Sequence, residues 1–144
     1  MTGVHGIKGG IMRNLVMLWF CPVAVTIALI AGCSSSTGPG IEPEITNTVD
    51  NFQYQITSLR NYSHQTSYTW QNTGVQANVN QATTITSGSA TLVILDDAGT
   101  QVYSRSLEDN GTFVTAAGTP GSWIIRVTYS HASATVNFRV QKRP

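Results

Sequence analysis

Asp96 and Asp97, with Gly99 close behind and Glu108-Asp109 one loop later, form the densest group of oxygen donors in the chain. Calcium is held by several such oxygens at fixed offsets. The offsets here match no calcium loop, and Asp-Asp-Ala-Gly is what a hairpin turn selects. These acids are therefore read as turn residues, and no metal or other cofactor is expected. His64 and His131 stand in no metal-ligand spacing, and no second cluster completes a zinc site. Serine is plentiful, but nucleophilic catalysis needs a serine beside a base and an orienting group. No serine carries the glycine pattern of a nucleophile elbow. A glycosidase needs two carboxylates in one cleft, whereas the acids here fall in turn-like stretches. No catalytic residue is assigned, and the chain is read as a non-enzyme, with a small hydrolase as the weakest alternative.

Sugar recognition is the other chemistry for which the side chains exist. Trp70, Trp123, Tyr62, Tyr103 and Tyr129 supply flat rings that stack on sugar faces. Trp70 and Trp123 fall on the apolar phase of alternating stretches and are assigned to the core. Tyr62 and Tyr103 are the candidate ligand-facing aromatics. Asn61-Tyr62-Ser63 and Asn110-Gly111-Thr112 match the glycosylation sequon; the second is better read as a turn.

The remaining reactive group is the thiol of Cys33. Lys8 and Arg13 supply a positive start, residues 15–32 are almost uninterruptedly apolar, and Ala31 and Gly32 are small. That order is the order of a secretory signal. Leu29-Ile30-Ala31-Gly32-Cys33 resembles the lipobox of bacterial lipoproteins, with Ile30 where Leu is commoner. The resemblance implies a diacylglycerol on the Cys33 thiol, cleavage before Cys33, and acylation of the new amino terminus. Two or more chains hold a protein stably on a bilayer, where one is marginal. An uncleaved anchor is the alternative, because about 18 apolar residues can just span a bilayer. Met12-Arg13-Asn14 would make a more compact leader than Met1. By the same resemblance, Ser34 after the cysteine favours the outer membrane over retention in the inner one. Cys21, the only other cysteine, lies in the leader, so Cys33 would be left without an internal disulfide partner.

The implied organisation is a signal peptide at 1–32, a tether at 33–45 rich in Ser, Gly and Pro, and a domain at 46–144. Cleavage removes Lys8 and Arg13, leaving 6 basic and 7 acidic side chains in 112 residues. Nucleic-acid binding requires a basic field, which that balance excludes. The expected partners are the bilayer, through Cys33, and an envelope protein or a glycan.

Any surviving side chain must be positioned by strands. Period-two alternation recurs at 52–56, 67–71, 75–79, 90–95, 102–107, 123–129 and 136–140, as for strands buried on one face. Turn residues separate the runs: Asn72-Thr73-Gly74, Asp96 to Gly99, Asn110-Gly111 and Gly118 to Gly121. No helical period follows Cys33. Seven or eight short strands predict an all-β antiparallel sandwich, immunoglobulin-like in kind. Residues 90–141, through Asp-Ala-Gly, Gln-Val-Tyr and Gly-Ser-Trp-Ile-Ile-Arg-Val, resemble GOLD-type domains and are similar to the pre-peptidase C-terminal domains of secreted bacterial proteins. That likeness implies a non-catalytic binding or spacer module, and its matching positions are structural.

Overall fold

A computed structural model describes residues 42–144 of the 144-residue chain. The expected signal peptide, lipobox, Cys33 and most of the tether lie outside the described residues. Seven strands follow: β1 (Glu44–Thr48), β2 (Asn51–Asn72), β3 (Ala77–Gln81), β4 (Thr84–Leu95), β5 (Gln101–Ser106), β6 (Gly111–Val114) and β7 (Gly121–Lys142). They make one antiparallel sheet, open at its edges, that folds over into a sandwich. Each long strand runs through both layers. Residues 51–56 of β2 and 136–142 of β7 lie in one layer with β1, β3 and β6. Residues 64–72 of β2 and 121–129 of β7 lie in the other with β4 and β5. Strands β3 and β4 follow one another along the same edge of β7, interrupted only at Ala82-Thr83.

The bend between layers is made by β-bulges. An extra residue shifts the inward face by one position and kinks the strand. In β7 the buried series Trp123, Ile125, Val127, Tyr129 gives way to Ala132, Ala134, Val136, Phe138, Val140, a change from odd to even numbers. The shift falls at His131, which has φ 48°. β2 shifts twice, at Ser58 (φ 60°) and Asn61 (φ 46°), so that Phe52, Tyr54 and Ile56 share their parity with Trp70. β4 bends at Gly88 (φ 72°), where a Cβ would run into the His131 carbonyl oxygen. Only glycine fits there.

Two of the sequence expectations change accordingly. The runs at 52–56 and 67–71 are halves of a single strand, as are 123–129 and 136–140. His64 and His131 sit inside these long strands. The domain also starts a little earlier than residue 46, with β1 at Glu44.

The core lies between the layers. Trp70 and Trp123 are fully buried, as expected, and meet edge to face at 5.9 Å between centroids. Such a pair contributes about 0.5–1.5 kcal/mol beyond its burial. Both indole N–H groups have acceptors: Trp70 donates to the Thr48 carbonyl at 3.1 Å and Trp123 to that of Thr119 at 2.7 Å. Phe52, Tyr54, Tyr68 and Phe138 form a second aromatic group, with centroid spacings from 5.1 to 6.1 Å. Tyr129 donates a hydrogen bond to the Tyr54 hydroxyl across the layers at 2.9 Å, and burial pushes the Tyr54 phenol up to about 12.

Candidate interaction surfaces

The acids of the Asp96-Asp97 turn are spent on the backbone. Asp96 accepts the amides of Thr100 at 2.7 Å and Thr119 at 2.8 Å, and Asp97 accepts that of Ser122 at 2.8 Å. The Thr119 amide is the main cause holding the Asp96 carboxyl below the usual range. Asp109 pairs instead with Arg105 at 3.2 Å. Among the described residues no group of three or more His, Cys, Asp or Glu converges.

His64 and His131 are exposed. His131 Nδ1 lies 3.1 Å from Asn61 Oδ1, and its amide donates to Ser63 Oγ at 2.8 Å. These contacts fasten the two bulges of the bend to one another. The His64 ring packs 5.8 Å from Tyr62.

Neither candidate aromatic presents an open ring. Tyr103 is 8% exposed. It pairs with Ile94 across β4 and β5, and cross-strand partners share a face, so the buried Ile94 takes Tyr103 inward with it. Its hydroxyl donates to Gln81 Oε1 at 2.8 Å. The adjacent Val102 and Tyr103 left the phase of this strand undecided by pattern alone. Tyr62 is half-buried at the bend, edge-on to Tyr129 at 5.4 Å.

Two surfaces remain. The first is an edge. β1 pairs with β2 only as far as Gln55, so from Ile56 to Tyr68 no strand among the described residues borders β2 on that side. In an antiparallel pair, alternate residues direct both N–H and C=O toward the same neighbour. The Thr69 carbonyl accepts the Asn47 side chain and the Gln71 carbonyl accepts the Asp50 amide, both at 2.9 Å and both away from β7. Ser67 and Gln65 share that phase, so their backbone groups also point off the edge.

The second is the outer face of the layer holding β3 and β6. Gln53, Arg139, Asn80 and Thr112 form one row across four strands, and Asn51, Gln141 and Asn78 the next. Side-chain hydrogen bonds order the rows: Arg139 to Gln53 at 3.1 Å, Gln141 to Asn51 at 3.1 Å, Asn80 to Thr112 at 2.8 Å. The alternating polar residues were visible in the sequence, but their alignment into rows needs the register.

No protein-family model matches the chain, and no curated protein matches it significantly.

Proposed function

We propose that this chain is a bacterial envelope lipoprotein, held on the outer membrane by acyl chains at Cys33, whose sandwich is a non-catalytic module that binds another envelope protein. The observation that carries the binding reading is the unpaired edge of β2. Exposed edges are templates for an added strand and are ordinarily blunted. Here the bulges at Ser58 and Asn61 blunt the part nearest the bend, and 64–68 is left regular. The lipobox-like sequence before Cys33 supports the anchor.

A photo-crosslinking residue in place of Gln65, in the full-length protein in living cells, tests the edge. The expected product is one discrete adduct with another envelope protein. Ser67→Pro should abolish it while leaving thermal unfolding unchanged, because proline removes an N–H that points away from β7. An absent adduct, or one that survives the proline, would overturn the strand-addition reading.

A further inference from the structure

The polar outer face continues past the rows already described. On the outer side of β7, Ser133, Thr135, Asn137, Arg139 and Gln141 alternate without a break. Two grooves lie along this line. One, of about 460 Å³, is walled by Arg60, Thr84, Thr86, Ser133 and Thr135. The other, of about 410 Å³, is walled by Asn78, Asn80, Thr112, Asn137, Arg139 and Gln141. Thr135 and Asn137 are neighbours on one strand face, so the grooves run end to end. At roughly 3.3 Å per residue, the line from Ser133 to Gln141 is about 26 Å long.

We infer that this track binds an extended anionic polysaccharide, one whose sugar units carry carboxylates. The inference concerns a different surface from the β2 edge, so either reading can fail without the other.

Three features select that ligand. The first is the type of hydrogen bond on offer. The backbone of the central strands is used within the sheet, and the track presents only side-chain amides, hydroxyls and guanidinium groups. An added peptide strand needs backbone groups, and its side chains need apolar pockets; a chain of hydroxyl-bearing sugars needs neither. The second is preorganisation. Asn137 donates to Gln55 at 3.3 Å, and the Gln141 and Asn80 amides are likewise tied to neighbours. Each tied amide keeps its carbonyl oxygen and a second N–H for a ligand, and side chains already fixed lose less entropy on binding.

The third is charge. Both salt bridges among the described residues involve other cations, Arg105 and Lys142. Arg60 and Arg139 take no part in them, and no carboxylate lines either groove. Guanidinium groups bind carboxylates in a bidentate, directional way. Arg60 lies near Ser133 in the register, so the two cations stand roughly 20 Å apart along β7. One small anion cannot reach both; a polymer with repeating carboxylates can.

The test is affinity electrophoresis of the full mature protein in non-ionic detergent, through gels containing polygalacturonate or neutral dextran. Retardation by polygalacturonate alone is expected, weakening at least tenfold in Arg139→Gln and in Arg60→Gln. Arg126→Gln, on the outer face of the opposite layer, should bind as the parent does. Thermal unfolding of each variant is checked, since all three arginines reach the surface. Equal retardation by dextran, no retardation at all, or equal loss in Arg126→Gln would overturn the inference. So would tighter binding to phosphatidylglycerol vesicles than to polygalacturonate, which would make the track a membrane contact.

Discussion

Asp96 and Asp50 do, at the end of the sandwich opposite the bend, what a metal would do elsewhere: each gathers distant backbone around a charge. Asp96 joins the loop after β4 to Thr119, and Asp50 joins the β1–β2 turn to Thr73 and to Lys142. Amide hydrogen bonds, from Thr119 and from Thr73, are the main cause that lowers each carboxyl from its ordinary 3.8. A carboxyl lowered in the folded state contributes stability that is complete above its unfolded value and is lost as pH falls through the folded one. The thermal midpoint should therefore be flat from neutrality to about pH 5 and fall below about pH 4. Asp96→Asn should have a lower midpoint at pH 7 and approach the parent in acid. Circular-dichroism melts across that range decide it; parallel curves for the two proteins would remove Asp96 as the cause. At this scale the sequence was informative about the acids, whose turn role followed from their Gly neighbours. It was not informative about Tyr103, because two adjacent apolar residues carry no phase until a partner strand supplies one.

Among the elements, the bulged long strands are the feature that pattern reading missed. Alternation identifies a strand by its phase, and a bulge resets the phase, so one bent strand reads as two straight ones. The usual turn signal was missing too: in β2 and β7, Ser58, Asn61 and His131 take the positive φ that glycine normally supplies. β4 alone uses glycine, at Gly88. Gly88→Ala should cost the ordinary left-handed penalty of about 1–2 kcal/mol plus the displacement of β4 from the Ser130 and His131 carbonyls. Gly99→Ala provides the control, since Gly99 has φ 78° and nothing within 4 Å of its added Cβ. Denaturant unfolding should show the larger loss at Gly88. Equal losses would mean that β4 does not press on β7 at the bend.

For the whole molecule, the expected all-β sandwich is what the structure shows, and the expected seven or eight strands come out as seven, divided differently. Fold class is legible because many short alternating stretches, whatever their connections, bury one face each. Connections are not, because register depends on partners far away in sequence. The proposed anchor is read at this scale too. Intact mass of the protein from membranes should correspond to a chain beginning at Cys33 with fatty acyl groups, and Cys33→Ala should lack both cleavage and lipid. A mass matching the uncleaved chain would replace the lipid anchor with a spanning one.

The pairing of β2 with β7 also governs when the domain exists at all. Asn51 faces Gln141, and that ladder supplies the seam of both layers. Closing such a loop brings an entropic cost before any contact repays it. Residues 42–120 on their own hold only the flanks of a sheet whose central strand has yet to arrive. A chain emerging amino terminus first thus stays open until β7 is out. The schedule is written into strand order: pairing waits for β7, because the middle of the sheet is the last of the seven strands to be made.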